Sequence, residues 1–323
     1  MRNTFADELV RLGREDERIV LLSGDIGNRL FDRFREHSPA RFFNCGVAEA
    51  NMMGVAAGLA LSGYRPVIYT ITPFTTTRCL EQIRVDACYH RAPVVIVGTG
   101  SGLSYASLGP THHSCEDMAI LRTLPDMTVL CPADPVELRY CLREALRLDT
   151  PAYLRIGKKG EPILHATDPA FRLGHAITMR AGTDVCFVAG GTILAVALDA
   201  AELLAQAGVS ARVESFHAVK PLDLERLEEL CAQYPLIAVV EEHSRIGGLY
   251  GAIAEWYALQ EPPLARLLSF AVADSFLHEV GSQDFARAHF GLTAENMRDQ
   301  VLQSLKPSGR SKAARGATMA QVR

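Results

Sequence analysis

The amino-acid sequence predicts an α/β protein of two three-layer α/β domains with mostly parallel sheets. Short apolar, β-branched runs alternate with helix-length segments, and this alternation stops once, between residues 158 and 173, before it restarts. Apolar strands separated by helices are typical of a parallel sheet that is covered on both faces. The interruption is charged and rich in turn-forming residues, as a linker is. A length of 323 residues also favours two domains over one.

Four apolar runs in the first half predict buried strands, and the segments between them predict helices. The predicted strands cover 19–22, 67–70, 94–97 and 128–130, and the predicted helices cover 48–62, 79–89, 115–124 and 135–148. A further strand is expected to lead through Gly46 into the first helix of this set. Asp134 and Pro135 mark the start of the last one, because aspartate caps helix N-termini and proline suits the first helical position.

The alternation resumes after the interruption and predicts a second, smaller α/β unit. Its predicted strands cover 185–189, 211–216 and 236–241, and its predicted helices cover 193–207, 224–233 and 251–259. The C-terminal segment differs, since residues 306–323 contain five basic residues and no acidic one. We expect 306–323 to be a basic, disordered tail rather than an arm that binds a partner.

Composition and charge exclude several classes of protein. The chain is 48% hydrophobic and 22% charged with a formal net charge of −4, which gives no reason to expect nucleic-acid or membrane binding. No apolar run is long enough to span a bilayer, and the acidic N-terminus is unlike a secretory signal, so a cytoplasmic location is expected. The eight cysteines include no C-x-x-C pair and are expected to be buried, reduced thiols.

Three segments of the first half carry residues suited to chemistry. Glu49 opens a predicted helix in apolar company, where the residues alone favour a partner for the helix dipole over a reactive carboxyl group. Tyr69 and Phe74 leave a strand end, where aromatic residues are core filler more often than a stacking surface. His112 and His113 lie in a glycine- and serine-rich loop, which favours acid–base chemistry or substrate hydrogen bonding over a metal site. A complete G-x-G-x-x-G, a P-loop and H-E-x-x-H are absent.

Several short motifs, in a fixed order, resemble those of one enzyme family. The chain is similar to the C-terminal half of a transketolase in its split-gene form, and also to the matching parts of deoxyxylulose-phosphate synthase and of the β subunits of 2-oxoacid dehydrogenases. The resemblance covers about residues 3 to 300. Its markers are RFFNCGVAEANM at 41–52, RCLEQIR at 78–84, GPTHH at 109–113, PAD at 132–134, YLR at 153–155, KPLD at 220–223 and VEEHSRIGGL at 240–249.

This resemblance implies a domain plan and a cofactor. A pyrimidine-binding domain would occupy 1–160, a linker 161–174 and a transketolase C-terminal domain 175–305. Members of the family depend on thiamine diphosphate, which supplies the bond-breaking chemistry while the protein binds and orients it.

The resemblance also assigns cofactor-binding residues. Glu49 matches the family glutamate that hydrogen-bonds N1′ of the aminopyrimidine ring, and this contact is part of catalysis. Phe74 would stack on the pyrimidine, with Tyr69 and Arg78 nearby as further cofactor-binding residues.

Substrate-binding residues follow from the same resemblance. His112 would lie over the reactive carbon as a catalytic residue and contact the donor, with His113 beside it. Arg155 would be a phosphate contact, although a buried structural ion pair is equally consistent with its surroundings. Leu108 stands where the family usually has an aspartate that binds a donor hydroxyl. Losing that carboxylate disfavours a polyhydroxylated donor.

The resemblance further implies a partner subunit. The family binds the diphosphate and Mg²⁺ with a G-D-G motif and an asparagine farther along the chain, and the segment GDIGN at 24–28 is not that motif. A separate N-terminal transketolase-like subunit would therefore supply those groups, with no metal ligand from this chain. We expect an α₂β₂ assembly, self-association across its two-fold axis through the small-residue helix at 48–60, and no activity of the chain alone.

Three functions remain open at this point. The first is the β-type subunit of a thiamine-diphosphate-dependent transketolase-like enzyme, which moves a two-carbon ketol unit from a ketose or ketoacid to an aldehyde or ketone. The second is the β subunit of a pyruvate-decarboxylating, acetyl-transferring enzyme, which Leu108 favours. The third is a non-catalytic scaffold subunit, which the joint presence of Glu49, Phe74 and His112 disfavours.

Overall fold

The computed structural model describes residues 1–27, 29–261 and 265–306 with their side chains. The tail predicted for 306–323 lies outside the described residues from position 307 onward. Within the described ranges, each helix is too short or too polar to span a lipid bilayer.

The first part of the chain alternates strands and helices as the apolar pattern predicts. In chain order its elements are α1 (Arg2–Glu15), β1 (Ile19–Ser23), α2 (Asp32–His37), β2 (Phe42–Asn44), α3 (Glu49–Leu61), β3 (Arg65–Ile71), α4 (Thr72–Thr75), α5 (Leu80–Gln82), a π-helix (Ile83–Tyr89), β4 (Val95–Thr99), α6 (Asp117–Arg122), β5 (Thr128–Leu130), α7 (Pro135–Ala145) and β6 (Ala152–Ile156). The predicted cap is confirmed, since the Asp134 carboxylate accepts hydrogen bonds from the amides of Val136 and Glu137, both at 2.9 Å.

The second part repeats the alternation. Its elements are β7 (Ile177–Arg180), β8 (Val185–Gly190), α8 (Leu194–Gln206), β9 (Ala211–Ser215), β10 (Ala218–Lys220), α9 (Leu224–Gln233), β11 (Leu236–Ser244), α10 (Leu249–Tyr257), β12 (Arg266–Val272), α11 (Gln283–His289) and α12 (Ala294–Leu305). Helix α9 has the predicted bounds, and α10 begins two residues earlier than predicted.

The strands form two mostly parallel sheets, which confirms the predicted fold class. The first sheet has the order β10-β5-β6-β4-β3-β1-β2, and the second has the order β12-β11-β8-β9-β7. Every neighbouring pair is parallel except β10–β5 in the first sheet and β7–β9 in the second.

Strand β10 joins the two parts of the chain. It follows β9 of the second sheet, yet it pairs antiparallel with β5 at the edge of the first sheet. The amide of Cys131 extends this contact by donating to the carbonyl of His217 at 2.7 Å. Backbone hydrogen bonds therefore hold the second part against the first.

Two apolar layers cover the first sheet. Phe5 of α1 and Leu138 of α7 pack on one face. Met52 of α3 and Ile83 of the π-helix pack on the other face, in a cluster that continues into the second sheet through Val239. All eight cysteines are free; six are buried as expected, and Cys45 and Cys115 are partly exposed.

Candidate active site

The candidate site lies at the edge of the first sheet where β2, β3 and β4 end. These strands run in one direction, because β1 pairs in parallel with both β2 and β3, and β3 pairs in parallel with β4. The segments that follow them carry Glu49, Phe74 and His112. Carboxyl ends of parallel strands are the usual ligand-binding edge of an open α/β sheet.

Glu49 is the first residue of α3, and its side chain is 6% exposed. Its Oε2 lies 2.9 Å from Nη1 of Arg78, whose side chain is 44% exposed. A carboxylate at a helix N-terminus faces unpaired backbone amides, which favours a negative charge there. The carboxylate is thus nearly buried and carries one cationic partner that reaches solvent.

Arg78 also contacts an aromatic ring. Its guanidinium carbon lies 4.0 Å from the centroid of the half-buried Phe74 ring. A planar cation at this distance from the ring is attracted by the electron density of its face. A single flat, nitrogen-bearing group therefore contacts both the Phe74 ring and the Glu49 carboxylate.

His112 completes the group. Its ring centroid lies 5.3 Å from that of Phe74 at an interplanar angle of 66°, and 6.0 Å from that of Tyr105. Partial burial and, secondarily, the positive charge of Arg78 lower the pKa of His112 below its ordinary value of 6.5. Its imidazole is therefore neutral near pH 7 and has one nitrogen free of a proton. Glu49, Arg78, Phe74 and His112, all predicted from the sequence, lie together.

Two other predicted site residues lie elsewhere. The Tyr69 ring stacks on Phe5 at 5.5 Å and meets Phe31 edge-on at 4.9 Å, so it belongs to the core beneath α1. Successive residues of a strand point to opposite faces, and Tyr69 faces away from the α3 side that holds Ile68. Burial raises the pKa of Tyr69. We correct the expected place of Tyr69 beside the pyrimidine accordingly.

Arg155 is the second correction. Its side chain is 2% exposed, its Nε donates to Asp117 at 2.7 Å, and its Nη2 donates to the carbonyls of Ser114 and Glu242 at 2.9 Å each. A guanidinium that is almost fully buried and donates three hydrogen bonds inside the protein is poorly placed to bind a substrate phosphate. Arg155 therefore forms the structural ion pair, which was the alternative open from the sequence.

His113 and Leu108 lie in the same loop as His112. His113 is buried, which lowers its pKa, and it lines a cavity of about 360 Å³ with Leu103, Ser244 and Phe276. Leu108 ends a short 3₁₀ turn, Ala106–Leu108, and is 51% exposed.

Two residues that help to shape the candidate site, Tyr105 and Glu242, are not predicted from the sequence. Tyr105 packs beside His112, and Gly100 makes room for it, since a Cβ at Gly100 would lie 2.0 Å from the Tyr105 ring. Glu242 of β11 accepts a hydrogen bond from the amide of Leu103 at 2.6 Å. The GTGSG run at 98–102 was a signal for the first contact, whereas no local pattern reveals the second.

The residues present fit the pyrimidine end of thiamine diphosphate. That ring is planar and nitrogen-bearing, and the Arg78 guanidinium, which is also planar and nitrogen-bearing, already contacts the Phe74 ring and the Glu49 carboxylate. The described ranges contain no cluster of three or more His, Cys, Asp or Glu side chains that could bind a metal ion such as Mg²⁺.

Comparison with known proteins identifies both parts of the chain. Residues 1–161 match the family described as "Transketolase, pyrimidine binding domain", and residues 174–297 match "Transketolase, C-terminal domain". One of the subunits of an apulose-4-phosphate transketolase, from Phocaeicola vulgatus, is 34% identical over 94% of this chain and 97% of its own length. The 6-deoxy-6-sulfo-D-fructose transketolase subunit SqwH of a Clostridium species is 38% identical over 92% of each chain.

A solved structure is also similar to this chain over almost its full length. The structure described as "Split gene transketolase, inactive beta4 tetramer" superposes with a TM-score of 0.84 at 35% identity, covering 94% of this chain and 97% of the other. Such full-length similarity covers the site as well as the sheets. The chain therefore belongs to the transketolase family, as the C-terminal subunit of a split, transketolase-type transferase.

Proposed function

We propose that this chain binds the pyrimidine end of thiamine diphosphate and the sugar or ketoacid substrates, and that its enzyme transfers a two-carbon ketol unit to an aldehyde or ketone acceptor. The observation that carries the proposal is the contact series from Glu49 through Arg78 and Phe74 to His112. It combines a nearly buried carboxyl group, an aromatic surface and a neutral imidazole at one sheet edge.

Each residue has a role that its surroundings support. Thiamine diphosphate supplies, when bound, the electron sink that lets a bond beside a carbonyl carbon break and re-form. Glu49 is suited to hydrogen-bond the pyrimidine, because its nearly buried carboxyl group already contacts a planar nitrogen-bearing group. Phe74 holds the ring face, and neutral His112 is suited to exchange hydrogen bonds or a proton with donor oxygens.

We further propose that an N-terminal transketolase-like subunit completes the site. That subunit would hold the diphosphate and Mg²⁺, in a cytoplasmic α₂β₂ heterotetramer. The near-complete overlap with relatives that are themselves named as transketolase subunits supports a two-component enzyme. The solved β₄ tetramer described as inactive supports self-association without activity when this subunit is alone.

The donor is proposed to be a ketose or a ketoacid. The relatives named above act, by name, on a phosphorylated and a sulfonated sugar, which supports a ketose with an anionic group. Leu108 supports a second candidate, a pyruvate-like donor, because an apolar residue stands at the position where the resemblance to the family expects a hydroxyl-binding carboxylate.

The test is a reconstituted assay. The chain is co-purified with the product of the adjacent N-terminal transketolase-like reading frame and given thiamine diphosphate and Mg²⁺. Hydroxypyruvate, pyruvate and a phosphorylated ketose are supplied in parallel with aldose and keto-sugar acceptors, while CO₂ release and product mass are followed. Turnover of hydroxypyruvate or the ketose supports ketol transfer, and turnover of pyruvate alone supports acetyl transfer.

A variant separates a catalytic subunit from a scaffold. Glu49→Ala is expected to lower turnover by about 10²- to 10⁴-fold, the usual contribution of a positioned acid–base group. Glu202→Ala removes an exposed carboxylate of α8 and serves as the matched control. Full activity of Glu49→Ala would contradict a catalytic role for this subunit.

A further inference from the structure

We propose that Glu242, on the second sheet, is a positioning residue that holds the loop from Gly102 to Ser114 and thereby sets the place of His112. Glu242 does not touch the candidate site; it acts through the ends of the loop. The catalytic part of this inference rests on the proposed function of His112.

The two ends of this loop are joined by backbone hydrogen bonds. The Gly102 amide donates to the Ser114 carbonyl at 3.1 Å, and the Ser114 amide donates to the Gly102 carbonyl at 2.9 Å. His112 lies two residues before Ser114, so a shift of this closure would move its ring relative to Phe74.

The Glu242 carboxylate fixes the first end of the loop. It is 2% exposed, and its Oε1 accepts from the Leu103 amide at 2.6 Å. Arg287 Nε donates to its Oε2 at 2.5 Å, and Gln283 Nε2 donates to its Oε1 at 2.9 Å, both from α11. The carboxylate is thus paired and satisfied inside the protein, as a buried charge must be if it is to hold a backbone amide in place.

The backbone of Glu242 is linked to the other end of the loop. Nη2 of Arg155 donates to both the Glu242 carbonyl and the Ser114 carbonyl at 2.9 Å, while Asp117 fixes the guanidinium from the other side. The backbones of Gly102 and Glu242 also approach each other closely, since a Cβ at Gly102 would lie 2.6 Å from the Glu242 carbonyl oxygen. Only glycine therefore fits at position 102 without a shift of the backbone. Both ends of the loop are therefore fixed to one residue of β11.

Glu241, the residue before Glu242 in β11, supplies a matched control. Glu241 is also buried in β11, but its carboxylate accepts from the amides of Leu249 and Tyr250, at 2.7 and 3.0 Å, and so caps α10. Glu241→Ala and Glu242→Ala each remove one buried carboxylate from adjacent positions. Only the second change removes a hydrogen bond to the loop.

Hydrogen exchange of the isolated chain tests the positioning role without any activity. Glu242→Ala should accelerate exchange of amides in the segment 102–114 by about tenfold to a hundredfold, as expected for losing a hydrogen bond to a charged group. Glu241→Ala should leave that segment unchanged and affect the start of α10. Glu242→Asp, which keeps the charge for Arg287 but shortens the reach to Leu103, should also accelerate exchange if Glu242→Ala does not fold. Unchanged exchange of the segment in the folded variants would overturn the inference.

Kinetics of the reconstituted enzyme test the consequence for His112. Glu242→Ala should lower kcat by tenfold or more, with cofactor affinity within about twofold, because Glu49 and Phe74 lie on other elements. Glu242→Gln keeps an oxygen acceptor for the Leu103 amide and should recover most of the kcat. Equal losses in Glu241→Ala and Glu242→Ala would reduce Glu242 to a structural role. An inactive wild-type enzyme would contradict the proposed function, and the exchange result would still decide the positioning role.

Discussion

At the scale of single residues, the candidate site is defined by what the Arg78 guanidinium contacts. It lies against Phe74 and pairs with Glu49, which are the two groups proposed to hold the pyrimidine. The cofactor ring and the guanidinium would compete for the same contacts, so, in place of the cofactor-binding role expected for Arg78 from the sequence, we expect Arg78 to move aside when the cofactor binds. Its 44% exposure leaves the side chain free to do so.

The first prediction concerns this competition. Arg78→Met should tighten binding of thiamine diphosphate to the reconstituted enzyme by about fivefold to thirtyfold, because a partly exposed ion pair and a cation–π contact of about 0.5–1 kcal/mol each no longer have to be broken. Phe74→Ala should weaken binding instead, since the stacking surface is lost. Both affinities are measured by calorimetric titration, and weaker binding by Arg78→Met would show that the guanidinium contributes to cofactor binding.

The second prediction concerns pH. The pKa of His112 lies below 6.5, chiefly because of burial and partly because of Arg78. The neutral imidazole is therefore present above that pKa, and kcat/KM should fall as pH decreases through it. Arg78→Met removes a positive charge that lowers the pKa of His112, so it should shift the acidic limb of the pH profile to higher pH. His112→Asn should abolish this limb. A limb that is identical in the wild type and in His112→Asn would assign it to another group.

The third prediction concerns the donor. Leu108→Asp restores a carboxylate at the half-exposed position that precedes Gly109. A hydrogen bond between a charged carboxylate and a donor hydroxyl should raise the preference for hydroxypyruvate over pyruvate by about tenfold to a hundredfold. The ratio of kcat/KM for the two donors measures this change, with Leu108→Asn as the uncharged comparison. An unchanged ratio would place position 108 outside the donor site.

At the scale of elements, a buried strand is predicted correctly where its own residues form a clear apolar pattern. Buried strands such as β1 and β5 appear as continuous apolar runs, and their ends are predictable to within one residue. Strand β12 was missed, because its first four residues are exposed or half-buried and only its last three are buried. Helix α1 was missed although its apolar residues recur at helical spacing.

The site shows the same dependence. Glu49, Phe74 and His112 stand in short motifs, and these motifs predict them. The link between Glu242 and Leu103 joins residues that are 139 positions apart, so no window of sequence contains it. Arg155 illustrates the converse, because its motif is local but its partner Asp117 is supplied by another element.

The fourth prediction concerns the start of α7. The Asp134 carboxylate caps this helix and also accepts from the amides of Leu164 and His165 and from the His165 ring. Asp134→Ala should lower the free energy of unfolding by about 1–2 kcal/mol for the cap alone, measured by urea denaturation. Asp134→Asn, which still caps, should lose less. Equal losses would show that the charge, rather than the cap, is what α7 requires.

The same carboxylate gives stability a pH dependence of known sign. Burial opposes ionisation of Asp134, but hydrogen bonds from His165 and from backbone amides outweigh it and lower the pKa from 3.8 to about 2. The contribution of Asp134 to the free energy of unfolding is therefore complete at pH values above the unfolded-state pKa, and it is lost as the pH falls from about 4 toward 2. Asp134→Asn should remove this part of the acid unfolding profile.

At the scale of the whole molecule, we expect self-association through the exposed side of α3. Val55 is 45% exposed, Leu61 is 60% exposed, and a Cβ added at Gly58 would meet no atom within 4 Å. A helix with glycine on its open side allows close approach of a second helix. Glu49 is the first residue of the same helix, so we expect association there to bring a second chain near the candidate site.

The fifth prediction follows from this surface. Val55→Asp should convert the proposed oligomer of the isolated chain to a smaller species, because a buried unpaired charge is costly at a subunit contact. Leu259→Asp changes an apolar, exposed residue two positions after α10 and should leave the mass unchanged. Light scattering after size-exclusion chromatography measures both. An unchanged mass for Val55→Asp would place the contact elsewhere.

The pairing of β10 with β5 has a consequence for how genes of this kind can be divided and recombined. A cut between the two units would leave the first fragment with an unpaired edge at β5, which is a template for aggregation, and would leave β10 without its strand. Fission or domain exchange at that point would therefore damage both products. We expect the two units to be inherited together as one module.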